Sequence, residues 1–263
     1  MSVFESMILG IIQGLTEFLP ISSSGHLELG KVIFGSEVIG QESLFLTLVL
    51  HLGTALSTLV VFRKDIMDLL KGIFSLKKNG SHIFMLKIII SMIPTLIVGL
   101  FFEKQISVLF DKNLFLVGSM LVLTGIILFW GERVPKTTGG VSNQKALFIG
   151  LIQAIAILPG ISRSGSTIAG ALILGIDREK AAQFSFLMVL PLIFGSVAKS
   201  LLYFKGVPEQ FETTPIVLGF FASFITGIFA CKWMVGLVKK SQLIYFSFYC
   251  FILGGISLFY GFF

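Results

Sequence analysis

The hydrophobic positions of this chain are gathered in long runs and do not alternate with polar positions. Six runs are close to 20 residues long, which is about the length of an α-helix that crosses the hydrocarbon core of a bilayer. The pattern therefore predicts an integral membrane protein with several spanning helices. The predicted spans are Ser43–Phe62, Ile83–Phe102, Leu114–Trp130, Ala181–Phe204, Pro215–Val238 and Leu243–Phe263.

Two further apolar segments are too short to span a bilayer, and a polar turn follows each of them. MILGII at 7–12 precedes the turn PISSSG at 20–25, and ALFIGLIQAIAIL at 146–158 precedes PGISRSGST. Threading the spans leaves both ends of the second segment on one side of the membrane. The pattern thus predicts two re-entrant helical hairpins with tips at membrane depth. The short, charged segment Asp65–Phe74 predicts an interfacial amphipathic helix.

The two hairpins are related in sequence by a shift of 140 residues. Residues 10–25 then align with 150–165, and seven of the sixteen positions are identical, where ordinary composition would give about one. Each half would hold a hairpin and three spans, so the halves would have opposite orientations, an architecture typical of transporters. We predict an all-α polytopic protein with one membrane domain, 1–263, made of repeat one at about 1–140 and repeat two at about 141–263.

Composition and charge agree with a membrane protein and suggest its orientation. The chain is 55% hydrophobic and only 13% charged, whereas about a quarter of the residues of soluble domains are charged. Twelve basic residues fall in one set of loops and four in the opposing set, and the positive-inside rule assigns the first set to the cytoplasm. The net charge of +6 is thereby explained without nucleic acid. The cytoplasmic set is Arg63, Lys64, Lys71, Lys77, Lys78, Arg133, Lys136, Lys145, Arg178, Lys180, Lys239 and Lys240; the other is Lys31, Lys104, Lys112 and Lys205.

The two hairpin tips carry different ionisable groups. The shift of 140 aligns Ser23 with Arg163, and the first hairpin adds Glu17 and His26. Such groups are tolerated at membrane depth where they line a polar cavity, so we expect the tips to converge. The segment 162–167 opens a helix whose amides and forked guanidinium suit a phosphate or diphosphate. The alternative is a helix cap with Arg163 neutralised by Glu17.

The motifs QGLTEFLPISSSGH at 13–26 and PGISRSGST at 159–167 together resemble the signature pair of the undecaprenyl-diphosphate phosphatase family, the bacterial bacitracin-resistance proteins. HLGT at 51–54 and DREKAAQFSFLMVLP at 177–191 extend the resemblance along the chain. It implies a multi-pass protein of the bacterial inner membrane that hydrolyses a polyprenyl diphosphate lipid and so recycles the carrier of cell-wall synthesis. It also implies a divalent cation and an active site on the extracytoplasmic side. A homodimer is a candidate assembly.

A mechanism for such a reaction can be assigned to the two tips. A diphosphate needs its charge neutralised and a nucleophile in line with the leaving group. Glu17, with Gln13, would hold Mg²⁺ or Ca²⁺ through oxygen ligands, or would act as a base. The nucleophile is Ser23 activated by Glu17 or His26, or His26 itself, or a water. The predicted catalytic residues are Glu17, Ser23, His26 and Arg163, and the predicted phosphate-binding residues are Ser22, Ser162, Arg163, Ser164 and Thr167.

Two other classes of function compete with hydrolysis. An inverted-repeat transporter or lipid flippase also uses broken helices at the midplane and could employ a buried carboxylate. A structural scaffold is disfavoured, because buried Glu, His and Arg side chains are costly without a function. Release of inorganic phosphate from a polyprenyl diphosphate separates the first two classes.

Overall fold

The computed structural model describes residues 2–33, 41–75, 79–109, 114–204 and 212–262. Within these ranges the chain forms twelve helices and no strand. The helices are α1 Val3–Phe18, α2 Ser23–Ile33, α3 Gln41–Val61, α4 Arg63–Ile73, α5 Gly80–Phe101, α6 Glu103–Leu109, α7 Leu114–Glu132, α8 Asn143–Ile155, α9 Arg163–Ile173, α10 Arg178–Phe204, α11 Thr213–Lys239 and α12 Ile244–Phe262.

Five helices are long and apolar enough to cross a membrane, and α3 followed by α4 makes a sixth if this bent pair counts as one span. The five helices overlap five of the predicted spans, and α3 overlaps the sixth, Ser43–Phe62, so the prediction of a polytopic α-helical membrane protein is confirmed. The segment predicted as an interfacial helix is α4, which turns 78° away from α3. None of its eleven described residues is buried. Lys77, Lys78, Lys112 and Lys205, which enter the charge count, lie outside the described residues.

The two short hairpins are α1–α2 and α8–α9. Helix α8 begins 140 residues after α1, at Asn143 against Val3, and α9 both begins and ends 140 residues after α2. The second turn needs a glycine at position 160, because φ there is +93° and a Cβ would lie 2.5 Å from the carbonyl oxygen of Val117. In the first turn Ser22 adopts a φ of 70°, which is uncommon for a residue with a side chain.

The first helix of each hairpin packs closely against a long helix from the other part of the chain. Helix α1 meets α11 where Gly10 lies against Gly219, and α8 meets α5 where Gly150 lies against Ser91. Small residues allow such close approach of helix backbones within membranes. Ser6 adds a hydrogen bond of 2.6 Å to the Pro215 carbonyl. The first helix of each hairpin is therefore held against a long helix.

The core surrounds the second hairpin, and apolar side chains also cover the outside. Leu121, Leu128, Ile149 and Ile168 are fully buried at its centre. Large apolar side chains of the long helices are exposed, for example Phe101, Phe229, Ile252 and Phe259. An exposed apolar surface of this size is expected where a protein faces lipid.

Candidate active site

Glu17 lies at the centre of the polar cluster formed by the two hairpin tips. Its Oε1 accepts from Nη2 of Arg163 at 2.5 Å, and its Oε2 accepts from the Ser23 hydroxyl at 2.7 Å. Oε2 also accepts from Nε2 of Gln13 at 3.1 Å and faces Nε2 of His51 at 3.7 Å. The predicted convergence of the tips is found in the structure.

Helix α1 positions both Gln13 and Glu17. They are four residues apart and thus share one helix face. Gln13 is fully buried and Glu17 is 8% exposed. The amide oxygen of Gln13 has no hydrogen-bond partner among the described residues. A buried acceptor without a partner is costly, and it could be satisfied by a cation or a donor from a ligand.

Ser23 is the first residue of α2 and donates its hydroxyl proton to Glu17. Loss of that proton to an adjacent base is what makes a serine nucleophilic. Of the two candidate bases named from the sequence, Glu17 is the one in hydrogen-bond contact with Ser23. The geometry therefore pairs Ser23 with Glu17.

His26 forms its hydrogen bonds with groups other than Glu17 and Ser23. Its Nδ1 is 2.8 Å from the carbonyl oxygen of Ser22, and its Nε2 is 2.7 Å from the hydroxyl of Tyr249 on α12. A carbonyl oxygen only accepts, so Nδ1 carries the proton and the Tyr249 hydroxyl donates to Nε2 of the neutral ring. The two rings also stack, with centroids 5.6 Å apart. Both ring nitrogens are thus occupied by groups other than Ser23.

The hydroxyls at the start of α9 are partly used by the protein itself. Ser162 is the N-cap of α9 and accepts from the Gly165 amide at 3.1 Å. Ser164 donates to the Leu19 carbonyl at 3.4 Å, and Thr167 bonds the Ser185 hydroxyl. The helix cap and the Arg163–Glu17 pair proposed as the alternative are therefore both present. These hydroxyls and Arg163 belong to the N-terminal turn of α9, and a helix N-terminus is a place where proteins bind phosphate.

Ser22 has a similar capping role in the first hairpin. Its hydroxyl accepts from the Gly25 amide at 3.3 Å and lies 3.3 Å from the Ser24 hydroxyl. Ser22 is only 2% exposed. Its predicted role in phosphate binding remains a prediction.

Two residues at the site were not assigned from the sequence. His51 was noted only as part of HLGT, although a histidine within an apolar run at membrane depth is itself a signal of function. Tyr249 lies in an apolar run with no such signal, and its contact with His26 spans 223 positions. The packing of α12 places the hydroxyl of Tyr249 beside His26.

The residues predicted to hold a metal, Gln13 and Glu17, supply part of the ligand set of a hard cation. The described residues contain no cluster of three His, Cys, Asp or Glu side chains able to hold a metal ion. Gln13 and Glu17 nevertheless offer oxygen atoms, one of them without a partner. Mg²⁺ is commonly held by one or two carboxylates together with substrate phosphates. Two oxygen donors beside a phosphate site are consistent with this kind of binding.

Comparison with known proteins identifies a family to which this chain is similar. Residues 6–256 match the family described as bacitracin resistance protein BacA. A protein of Christiangramia forsetii named undecaprenyl-diphosphatase is 52% identical over 97% of this chain and 96% of its own length. Proteins of the same name from Bacteroides thetaiotaomicron and Bacteroides fragilis are 47% and 45% identical. The matches cover 97% of both chains for the former and 98% of both for the latter.

Proposed function

The chain belongs to the bacitracin resistance protein BacA family, and on that premise we infer that it is an undecaprenyl-diphosphatase. It hydrolyses undecaprenyl diphosphate to undecaprenyl phosphate and inorganic phosphate. The reaction returns the lipid carrier to cell-wall synthesis and accounts for bacitracin resistance. The observation that supports this function best is the contact of Glu17 with both Arg163 and Ser23, because it joins a carboxylate, a phosphate-binding cation and a nucleophile.

We propose that Arg163 binds the terminal phosphate of the substrate. Its planar guanidinium offers paired donors to phosphate oxygens, and the N-terminal amides of α9 add partial positive charge. When Arg163 turns toward the phosphate, Glu17 loses its strongest partner and becomes a better proton acceptor.

Glu17 then takes the proton of Ser23, whose oxygen attacks the terminal phosphorus. The bond between that phosphorus and the bridging oxygen breaks, and undecaprenyl phosphate leaves. Water attacks the resulting phosphoserine, inorganic phosphate departs, and the serine oxygen recovers a proton. The hydrogen bond of 2.7 Å between Ser23 and Glu17 supports this assignment over His26 or a free water.

A divalent cation, Mg²⁺ or Ca²⁺, would be held by Gln13 and Glu17. When bound, it would neutralise charge on the phosphate oxygens of substrate and product. The Gln13 amide oxygen, buried without a partner, is the feature of this chain that supports such an ion.

We also propose that the two halves form an inverted repeat and that the site opens to the extracytoplasmic face of the inner membrane. The matched helix starts and the reciprocal packing of α1 on α11 and α8 on α5 support the repeat. The basic loops support a cytoplasmic position for the opposite ends of the long helices. The predicted homodimer stays a prediction.

The function is tested with purified protein in detergent and undecaprenyl diphosphate. The wild type should release inorganic phosphate, and Glu17→Gln should reduce the rate on the order of 10²–10³-fold. Glu179→Gln is a matched control, because Glu179 is exposed and pairs with Lys239 away from the tips. A wild type that moves the lipid across vesicles but releases no phosphate would instead be a transporter. Full activity in EDTA would remove the metal from the scheme.

A further inference from the structure

His51 has a ring orientation that the reaction scheme does not use. It lies in the middle of α3, and its side chain is 28% exposed beside the buried Glu17. Nδ1 lies 2.7 Å from the carbonyl oxygen of Thr47. Because that oxygen only accepts, Nδ1 carries the proton, and in the neutral ring Nε2 has a lone pair available for a ligand.

Nε2 of His51 and the Glu17 carboxylate are too far apart for a hydrogen bond. The distance of 3.7 Å between Nε2 and Oε2 of Glu17 exceeds the range of hydrogen bonds. The carboxylate already accepts from Arg163, Ser23 and Gln13. A nitrogen lone pair and a carboxylate oxygen at this distance repel each other, and a cation bound by both atoms would remove that repulsion.

The geometry around His51 is that of a metal-ligating histidine. Such a histidine usually donates its other ring N–H to a backbone carbonyl or a carboxylate, which fixes the tautomer and the ring orientation. The Thr47 carbonyl does this for His51. Two ligand atoms that each lie roughly 2.0–2.2 Å from one ion can be up to about twice that distance apart, and 3.7 Å lies within this limit.

We propose that Nε2 of His51 is a direct ligand of the divalent cation, together with Glu17 and Oε1 of Gln13. The proposal rests on the proposed function, since the ion serves that site. One nitrogen among oxygen donors favours first-row transition ions, and Ca²⁺ and Mg²⁺ prefer oxygen alone. A histidine ligand should therefore raise the affinity for a transition ion such as Mn²⁺ relative to that for Ca²⁺, which binds through oxygen atoms.

The chain is well suited to a direct test because it contains three histidines, His26, His51 and His82. Purified wild-type protein is loaded with Mn²⁺, and electron spin echo modulation reports nitrogen bound to the ion. Protein grown with ¹⁵N-histidine should change the modulation from the ¹⁴N to the ¹⁵N pattern, and this comparison needs no variant. Bound Mn²⁺ without histidine nitrogen coupling would overturn the proposal, as would failure to bind Mn²⁺.

Variants then identify which histidine binds the ion. His51→Gln should lose the nitrogen coupling and weaken Mn²⁺ binding by at least the roughly 10- to 100-fold that loss of an outer-shell partner costs. His82→Gln is the matched control, because His82 contacts Asn79 at the start of α5, and it should retain both. His26→Gln should also retain the coupling, and its loss there would assign the ligand to His26 and overturn the proposal.

Affinity for the two ions gives a second readout. Ca²⁺ should displace Mn²⁺ from the wild type only at large excess, and His51→Gln should lose most of that preference. Equal preference in both proteins would contradict the nitrogen ligand. The proposed function fails separately, if the wild type releases no phosphate from undecaprenyl diphosphate whatever ion it binds.

Discussion

Arg163 and Glu17 form a hydrogen-bonded ion pair between residues 146 positions apart in the chain. Glu17 lies near the end of α1, and Arg163 begins α9. Their side chains are 8% and 16% exposed. A charge at this depth is costly without a partner, so the pair holds the two hairpin tips together.

Replacing Arg163 by lysine should reduce phosphate release by about 10²-fold or more, the effect of losing one well-placed donor to a developing charge. The charge is retained, but a lysine cannot present two donors in a plane. Arg133→Lys serves as the control, because Arg133 lies over the Phe129 ring at the end of α7. Near-normal activity of Arg163→Lys would make Arg163 a structural residue only.

Ser23→Ala should lower the rate on the order of 10³-fold or more, as expected when a nucleophile is removed. Ser24→Ala is the neighbouring control, since the Ser24 hydroxyl bonds Ser22 and not Glu17. The measurement is phosphate release, with radiolabelled substrate used to trap a phosphoserine. Equal activities of the two variants would favour an activated water as the nucleophile.

Gly150→Ala should destabilise the protein by about 1–3 kcal/mol, because a methyl group there would collide with the Ser91 carbonyl of α5 and overpack the contact. Gly255→Ala is matched in chemistry but meets open space in the middle of α12. It should be neutral or stabilising by up to about 1 kcal/mol. Denaturant unfolding in mixed micelles measures both, and equal effects would show that the α8–α5 contact tolerates a side chain.

The side on which the site opens can be tested by thiol labelling in a background without Cys231 and Cys250, both of which are buried. A cysteine at Ser24, which is partly exposed, should react with an impermeant reagent added outside intact cells. A cysteine at the exposed Asn143 should react only after the membrane is breached. Ser22 is a poor probe, because it is 2% exposed and has a positive φ. Labelling of Asn143→Cys in intact cells would reverse the orientation.

The spans and hairpins could be predicted from the sequence because their signals are local. An apolar run of about 20 residues predicts a membrane-spanning helix regardless of which helices it packs against. The aligned starts of α2 and α9 follow from the capping and turn residues that both hairpins carry. Glu17 and Arg163 were recognisable because charges are rare within apolar runs.

The partners of individual side chains could not be predicted, because they depend on how distant helices pack. His26 was one of two candidate bases for Ser23 and also a candidate nucleophile, and in the structure its Nε2 contacts the hydroxyl of Tyr249 on α12. His51 reaches Glu17 only because α3 lies beside α1. Ser162 and Ser164 were predicted to bind phosphate, with a helix cap as the alternative for this segment, and in the structure both hydroxyls bond backbone groups of the protein.

Helix α1 is synthesised long before α11, the helix against which it packs. Ser6 donates to the Pro215 carbonyl, which lies 209 positions later in the chain. At a translation rate of roughly 5–20 residues per second, Pro215 is made about 10–40 s after Ser6. During that interval the first hairpin lacks the helix it packs against, and Glu17 lacks Arg163 until the chain has grown 146 positions beyond it. The amino-terminal hairpin is therefore among the first segments made, but it can complete its packing only after α11 has been made.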